Sequence, residues 1–388
     1  MQGLYGVIRN YAWGSQTDIA GLQGRETPAD LPEAEEWLGA HHSAPSTLHD
    51  GRPLDDAIAS APADMLGRRV YERFGPRLPF LLKLLAAGKP LSLQAHPNLR
   101  QAQSGHQREL RIGIDSAYRN YVDDNHKPEL LVALTEFRAL CGFRDPLAAA
   151  EGIEALAVPE LEGLVRTLRD PAAGLRRAVT DLLGLDRDEC RAVIDAAAKA
   201  ASELDGPSGL AAGDAADLVT LARDYPDDPG VLVSLLLNHI TLQPGEGVYM
   251  PAGNLHAYLK GFGVEIMAAS DNVLRGGLTN KRVDVPELLR VLDFEAIDEP
   301  RAAVEDSGPV RSWPVPIDDF ALRRVELTGA PQTLAIDGPR ICLSTGGSVT
   351  VADDEGETAF SPGRAAFSTG TSGALTAWGE GELFIASA

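Results

Sequence analysis

The chain has 388 residues, of which 44% are hydrophobic and 23% charged, so it is long enough for two or three domains and too apolar to be disordered. Its 35 Lys and Arg residues against 56 Asp and Glu residues give a formal net charge of −21, which disfavours nucleic acids and anionic membranes as partners. It has no apolar stretch of the roughly 18 residues that cross a membrane, no secretory signal pattern and no disulfide framework among its three cysteines, which favours a soluble cytoplasmic enzyme.

The segment Leu91–Pro97 alternates apolar and polar residues. As a strand it places Ser92, Gln94 and His96 on one face. Two interpretations stay open at this point, because such a face either meets solvent or lines a polar cavity.

The run Asn125–Glu129 concentrates an imidazole, an ammonium and a carboxylate in five residues before an apolar stretch. If the run is extended, Lys127 and Glu129 share a face. The alternative is an exposed charged turn that leads into a strand.

The Ala-rich middle of the chain predicts amphipathic helices. Apolar residues recur at helical spacing from Leu161 to Leu168 and from Val193 to Ala200. Pro171, Gly206 and Pro207 interrupt the pattern. We therefore expect a helical insertion over residues 145–228.

The last part of the chain predicts a β-sandwich or jelly roll. Short apolar runs at Gly247–Met250, Val264–Met267 and Thr333–Ile336 are separated by turn residues. The acidic, Pro-rich segment Asp298–Pro316 is either a domain linker or a pause between strands of one domain.

A third polar segment, Pro244–His256, combines a Gly-rich turn, a short strand and a second turn that ends in imidazole. It resembles the signature of the cupin barrel, in which this histidine is a metal ligand. The three segments together offer two imidazole nitrogens, one carboxylate oxygen and one amide oxygen, from His96 and His256, Glu129 and Gln94 respectively. This donor set suits Zn²⁺ and leaves one coordination position for water or substrate. The role of His126 is left open, and ordinary structural roles are expected for His41, His42, His49, His106 and His239.

Several strings together closely resemble the type I mannose-6-phosphate isomerases (phosphomannose isomerases) of the cupin superfamily. They follow one another in family order and are Tyr11–Ser15, Glu35–His41, Leu91–Pro97, Asn125–Glu129, Pro251–Tyr258 and Ala269–Thr279. The helical middle and the C-terminal β-region resemble the family by position and texture.

The resemblance implies a mainly β fold with a helical insertion. The expected parts are a cupin jelly-roll catalytic domain formed by residues 1–144 plus 229–300, an α-helical domain at 145–228 and a C-terminal, cupin-like β-domain at 301–388.

The resemblance also implies one Zn²⁺ per chain, held by the four residues grouped above, and a small-molecule hexose 6-phosphate as substrate. Mannose 6-phosphate and fructose 6-phosphate are expected to interconvert by zinc-assisted proton transfer through a cis-enediol. Catalytic roles are implied for Arg275, Lys127 and Glu265, and substrate or phosphate contacts for Ser92, Lys83, Lys281 and Asp271. We expect a monomer or a weak homo-oligomer.

Two other functions remain open from the residues. An iron-dependent cupin oxygenase needs two histidines and one carboxylate, which His96, His256 and Glu129 provide, but it leaves Gln94 unexplained. A non-enzymatic sugar-binding cupin leaves Lys127, Glu265 and Arg275 without a role.

Overall fold

The computed structural model describes residues 1–172, 174–204 and 210–388. Its described strands form two ten-stranded sheets built from antiparallel pairs. In chain order the strands are β1 (Gln2–Tyr5), β2 (Val7–Arg9), β3 (Glu35–Leu38), β4 (Thr47–Leu48), β5 (Phe80–Ala87), β6 (Leu93–Ala95), β7 (Glu129–Ala133), β8 (Phe137–Phe143), β9 (Leu237–Leu242), β10 (Gly247–Met250), β11 (His256–Ala268), β12 (Leu274–Gly277), β13 (Glu305–Ser307), β14 (Val310–Ser312), β15 (Ala321–Thr328), β16 (Gln332–Leu334), β17 (Arg340–Asp353), β18 (Gly356–Phe360), β19 (Ala365–Ser368) and β20 (Leu375–Ser387).

The described helices lie mostly before β5 and between β8 and β9. They are α1 (Asp18–Leu22), α2 (Leu54–Ser60), α3 (Pro62–Leu66), α4 (Arg68–Phe74), α5 (Leu99–Ile112), α6 (Pro146–Glu154), α7 (Glu162–Arg169), α8 (Gly174–Leu183), α9 (Arg187–Ser202), α10 (Ala212–Asp224), α11 (Gly230–Val233) and α12 (Val285–Val291). None of these helices has the length and apolar character that crossing a membrane requires.

The long strand β11 organises the first sheet. Its second half pairs with β5 and β7, and its first half pairs with β6 and β8. Between the halves, Gly261 has φ 139°, and a Cβ there would lie 2.7 Å from the Cα of Phe137. A glycine at this position therefore allows the single strand β11 to pair with β6 and β8 in its first half and with β5 and β7 in its second, as the predicted cupin jelly roll requires.

Side-chain alternation along the central strands separates an apolar face from the barrel interior. The apolar face joins a core shared with the second sheet and includes Leu82, Leu84, Leu130, Val132, Val264 and Ile266. Because successive side chains point to opposite faces, Lys83, Glu129 and Glu265 point into the barrel, where all three line its cavity.

The second sheet has the order β13-β14-β15-β20-β17-β19-β1-β4 and contains most of the C-terminal strands. Its last two strands come from the start of the chain, since Gln2–Tyr5 pairs with both β19 and β4. The first segment therefore contributes strands to both sheets, which the sequence did not indicate. The three-part domain limits stay a prediction.

Local predictions hold for several elements and fail for others. The predicted strand Gly247–Met250 is β10, whereas the strand expected at Thr333–Ile336 spans Gln332–Leu334. The linker interpretation of Asp298–Pro316 is wrong, because this segment contains the hairpin β13–β14, which joins the sheet through β15. The predicted helix breakers Gly206 and Pro207 lie outside the described residues.

Candidate metal centre and cavity

Three predicted metal ligands meet at one end of the barrel. His96 follows β6, Glu129 begins β7 and His256 begins β11. The Nε2 atoms of His96 and His256 lie 3.5 and 3.3 Å from the two carboxylate oxygens of Glu129. Both imidazoles are fully buried, so these groups are held away from solvent.

The Nε2 atoms of His96 and His256 are buried without a hydrogen-bond partner, although the carboxylate of Glu129 lies close by. Their other ring nitrogens face backbone carbonyls: His96 Nδ1 lies 2.7 Å from the oxygen of Asn272, and His256 Nδ1 lies 3.1 Å from that of Asn254. A carbonyl can only accept a hydrogen bond, so Nδ1 carries the proton and the Nε2 lone pair is left free. This arrangement orients an imidazole as a metal ligand.

The separations between these donor atoms fit a shared zinc ion. Ligands at zinc distances of about 2.0–2.1 Å in tetrahedral geometry are about 3.3 Å apart, and the two Nε2 atoms lie 3.3 and 3.5 Å from Glu129 oxygens. Two imidazoles and a carboxylate are a common zinc donor set. The residues therefore fit the ion that the sequence predicts.

The predicted fourth ligand, Gln94, lies between two other predicted site residues. On β6 it pairs directly with His256 on one side and with Arg275 of β12 on the other. Directly opposite residues of antiparallel strands share a face. Gln94 and Arg275 both line the cavity.

Lys127 neutralises the carboxylate of the metal centre. Its Nζ lies 2.8 Å from Glu129 Oε1, and both side chains are buried. Burial alone raises the pKa of Glu129, but opposing interactions, foremost the charge of Lys127, outweigh it and hold that pKa well below its usual value. Burial and the charge of Lys127 lower the pKa of His96 to about 4. The centre thus offers a carboxylate and a neutral imidazole, which are the forms that bind metal.

A second buried charge cluster forms another part of the cavity wall. Lys83 on β5 is directly opposite Glu265 on β11, with Nζ 2.9 Å from Oε2, and it also lies 3.2 Å from Glu35 Oε1. The hydroxyl of Tyr258 donates to Glu265 Oε1 at 2.8 Å. Lys83 is 5% exposed and Glu265 2% exposed. Glu265 is therefore fixed by one donor on each oxygen.

The charges in this cluster shift each other's protonation. Burial alone lowers the pKa of Lys83, but Glu265 and Glu35 outweigh it and raise that pKa above its usual range. Burial raises the pKa of Glu265 against the opposing charge of Lys83. Lys83 is hence a permanent cation, and Glu265 is a carboxylate whose proton affinity is increased.

These groups surround a cavity of about 580 Å³, the size of a small-molecule site. It is lined by predicted residues from several parts of the chain, namely Lys83, Ser92, Gln94, Lys127, Glu129, Glu265, Arg275 and Lys281. Its apolar and aromatic lining includes Trp13, Leu85 and Tyr225. Positive and negative side chains thus meet in one cleft.

Asp271 does not join the described lining of the cavity. Its carboxylate instead lies 3.1 Å from Nε2 of His41. Burial alone raises the pKa of Asp271, but the hydrogen bond from His41 outweighs it and lowers that pKa. Asp271 is thus the one predicted site residue that contacts a different group of side chains.

The remaining histidines each contact another group. Nδ1 of His106 lies 3.0 Å from the Tyr121 carbonyl, and Nδ1 of His239 lies 3.0 Å from Asp217. His126, whose role the sequence left open, lies 3.0 Å from Asp319.

Several groups of the site were missed by sequence reasoning. Tyr258 lies two residues after His256, so strand alternation could have placed it on the same face. Glu35 carried only the signal of its position in a family string. The carbonyls of Asn254 and Asn272 carried no signal, because a backbone oxygen has no residue identity.

Comparisons with known proteins agree with this geometry. The family model described as "Phosphomannose isomerase type I, catalytic domain" matches residues 1–146. Mannose-6-phosphate isomerases from Salmonella typhimurium and Escherichia coli (strain K12) are 37% and 36% identical, over 99% of this chain and 98% of each relative. The rat relative is 32% identical over 93% of this chain and 91% of its own.

The fold matches solved structures over the whole chain. A crystal structure of mannose 6-phosphate isomerase from Salmonella typhimurium, bound to its substrate fructose 6-phosphate and to zinc, aligns with a TM-score of 0.91 at 36% identity. The alignment covers 100% of this chain and 99% of that one.

Proposed function

The chain belongs to the type I phosphomannose isomerase family, and from that premise we propose that its barrel cavity is the active site of a zinc-dependent aldose–ketose isomerase. The reaction interconverts mannose 6-phosphate and fructose 6-phosphate. The observation that carries the proposal is the pair of unpartnered Nε2 atoms, on His96 and His256, beside Glu129 at a cavity of substrate size. The oxygenase and binding-module alternatives are not favoured, because the relatives are isomerases.

Zinc would be held by Gln94, His96, Glu129 and His256. The chemistry that a bound zinc ion supplies in such a site is Lewis-acid stabilisation of negative charge that develops on carbonyl oxygens. The chain contributes the preset ligand orientation, since the Asn272 and Asn254 carbonyls hold both imidazoles.

Glu265 is our assignment for the proton transfer between C2 and C1. An aldose–ketose isomerisation removes a proton from C2, forms a cis-enediol and returns a proton to C1. A base near neutral pH is most effective when its pKa lies near that pH, and burial shifts the pKa of Glu265 upward. Lys83 and Tyr258 support this role by fixing the carboxylate on both oxygens. Lys127, the other base that the resemblance suggests, is already paired with Glu129.

Arg275 is proposed as the electrostatic stabiliser of the enediolate. Burial lowers the pKa of Arg275, but a guanidinium stays protonated at any physiological pH. It lies directly opposite Gln94, and thus beside the proposed metal centre. A fixed cation there favours the transition state, in which the substrate oxygens gain negative charge.

The phosphate group is proposed to contact Lys281 and Ser92, which line the cavity. Lys83 is less suited to the phosphate role that the resemblance implies, since two carboxylates already neutralise it. We propose that Lys83 acts mainly by holding Glu265. A cytoplasmic location, a monomeric or weakly oligomeric state and the three-part domain limits belong to the same proposal.

Isotope exchange tests the proposed chemistry. Mannose 6-phosphate that carries deuterium at C2 is incubated with the zinc-loaded protein in ordinary water, and the label is followed by NMR. We expect fructose 6-phosphate to form with loss of label from C2, either to water or to C1. If the protein binds the sugar but moves no label and forms no ketose, the isomerase assignment is wrong.

A further inference from the structure

A second group of metal-ligand side chains lies outside the described lining of the cavity and is formed by His41, His42 and Asp271. One donor atom from each residue lies within 4.8 Å of the others. Nε2 of His41 is 3.1 Å from Asp271 Oδ1, and the His41 and His42 rings stack with centroids 4.6 Å apart. We call these three residues the outer cluster.

The inner side of the outer cluster is held in place by its neighbours. The His41 side chain is 7% exposed and meets the Trp37 ring edge-on at 4.7 Å. The backbone N–H of Asp271 donates to Asp123 at 2.7 Å. The Asp271 side chain is 35% exposed and His42 is exposed. Two donors are thus positioned, and one side of the cluster is open to solvent.

The two ring nitrogens of His41 contact Ser43 on one side and Asp271 on the other. Its Nδ1 accepts a hydrogen bond from the Ser43 backbone N–H at 3.3 Å and lies 3.0 Å from the Ser43 hydroxyl. With Nδ1 as the acceptor, Nε2 carries the ring proton and donates to Asp271 Oδ1 at 3.1 Å. A metal ion that binds His41 at Nε2 therefore displaces this proton, as metal binding to imidazole ordinarily requires.

A simple ion pair between His41 and Asp271 accounts for only two of the three residues. Within the described part of the chain, His42 stacks on His41 and makes no hydrogen bond, although its ring nitrogens are within reach of the pair. Among the described ion pairs, Asp271 contacts only His41. A cation shared by the three side chains would use every donor in the group.

We propose that the outer cluster is a second, solvent-accessible binding site for a divalent transition metal such as Zn²⁺. Two imidazoles and one carboxylate suit Zn²⁺, Cu²⁺ or Ni²⁺ rather than Mg²⁺ or Ca²⁺, which prefer oxygen ligands. Water completes the coordination. The site binds more weakly than the buried centre, because its exposed side chains must be ordered on binding. The net charge of −21 on the chain nevertheless attracts cations to the surface.

Zinc counting on the full-length protein tests the outer cluster. The protein is equilibrated with graded free Zn²⁺, and bound zinc is measured by mass spectrometry after equilibrium dialysis. We expect two classes of site, of which only the weaker empties when free zinc is lowered modestly. His42→Ala should weaken the second class at least tenfold and leave the first unchanged.

A matched control is His49→Ala, which removes a histidine that stacks on Tyr5 and belongs to neither group of metal-ligand side chains. It should keep both zinc classes. Asp271→Asn preserves side-chain shape and should lose the second class as His42→Ala does. A wild-type protein that binds a single zinc overturns the proposal, and so does a second class that survives both substitutions, which would mean adventitious binding only.

Discussion

The backbone carbonyl of Asn272 lies 2.7 Å from Nδ1 of His96, and it fixes the orientation of that imidazole. The Asn272 side chain is fully buried and holds this carbonyl in place through hydrogen bonds to Asp123 and Asn125. A short polar network thus connects the Asn125–Glu129 segment to His96, a predicted metal ligand that follows β6.

Asn272→Ala should therefore weaken zinc binding. Removing a group that orients a metal ligand typically costs 10–100-fold in affinity, and we expect a loss of about that size in a chelator competition assay. Asn10→Ala is the control, since Asn10 also donates to a backbone carbonyl, that of Pro32, but at the surface. Unchanged zinc affinity in Asn272→Ala would show that this carbonyl needs no such anchor.

Metal binding and transition-state stabilisation should separate by mutation. His256→Ala removes a proposed ligand and should abolish both zinc binding and most activity. Arg275→Ala should keep zinc and lose turnover, by about 3 kcal/mol or more in activation free energy, if the guanidinium acts on transition-state charge. Zinc analysis and kcat on the same samples decide the point. Full zinc content in His256→Ala would refute the ligand assignment.

Part of this site could be predicted because the side-chain direction in an extended segment depends only on spacing along the chain. Lys127 and Glu129, for example, are two residues apart and were predicted to lie on the same face, and their side chains do meet. That His96 and His256 converge on Glu129 depends on β11 pairing with β6 and β7, which are distant in sequence. The residue chemistry suggested a shared ion and the family resemblance implied the same four ligands, but neither predicted these strand pairings.

The rest depended on tertiary contacts with no sequence signal. Asp271 was expected at the substrate, yet it lies in the loop between β11 and β12, where its backbone N–H donates to Asp123 and its carboxylate reaches His41. Likewise, Gln2–Tyr5 extends the C-terminal sheet because β19 offers an unpaired edge, and nothing in four residues specifies that partner.

Lys83→Met should destabilise the protein strongly at neutral pH. The substitution leaves Glu35 and Glu265 buried without their shared cation, and breaking a buried ion pair costs about 3–5 kcal/mol. Denaturant unfolding measures the loss. Lys260→Met, at an exposed position on β11, should have little effect. Adding Glu265→Gln to Lys83→Met should recover part of the stability; no recovery would mean that lost packing, not charge, is responsible.

Glu36 should make stability fall as pH rises. Burial raises the pKa of Glu36 from 4.5 to about 7 in the folded protein, against the opposing charges of Arg364 and Arg25. Between these values the unfolded chain releases the proton while the folded protein keeps it, so the free energy of unfolding decreases with pH. The total effect is at most about 3 kcal/mol and is constant above the folded pKa.

Glu36→Gln should remove this dependence, so that its stability relative to wild type increases between about pH 4.5 and 7. Urea unfolding across this range measures the difference. Glu72→Gln serves as the control, because Glu72 is exposed and pairs only with Arg68 among the described contacts. Parallel curves for wild type and Glu36→Gln would contradict the buried, proton-holding carboxyl.

The most direct test of the whole account is a coupled assay with mannose 6-phosphate before and after removal of metal. The protein as purified should form fructose 6-phosphate, lose activity on treatment with a strong chelator and recover it when about one Zn²⁺ per chain returns to the buried centre. Full activity in protein shown to be free of metal would contradict the claim that Gln94, His96, Glu129 and His256 hold the ion on which the reaction depends.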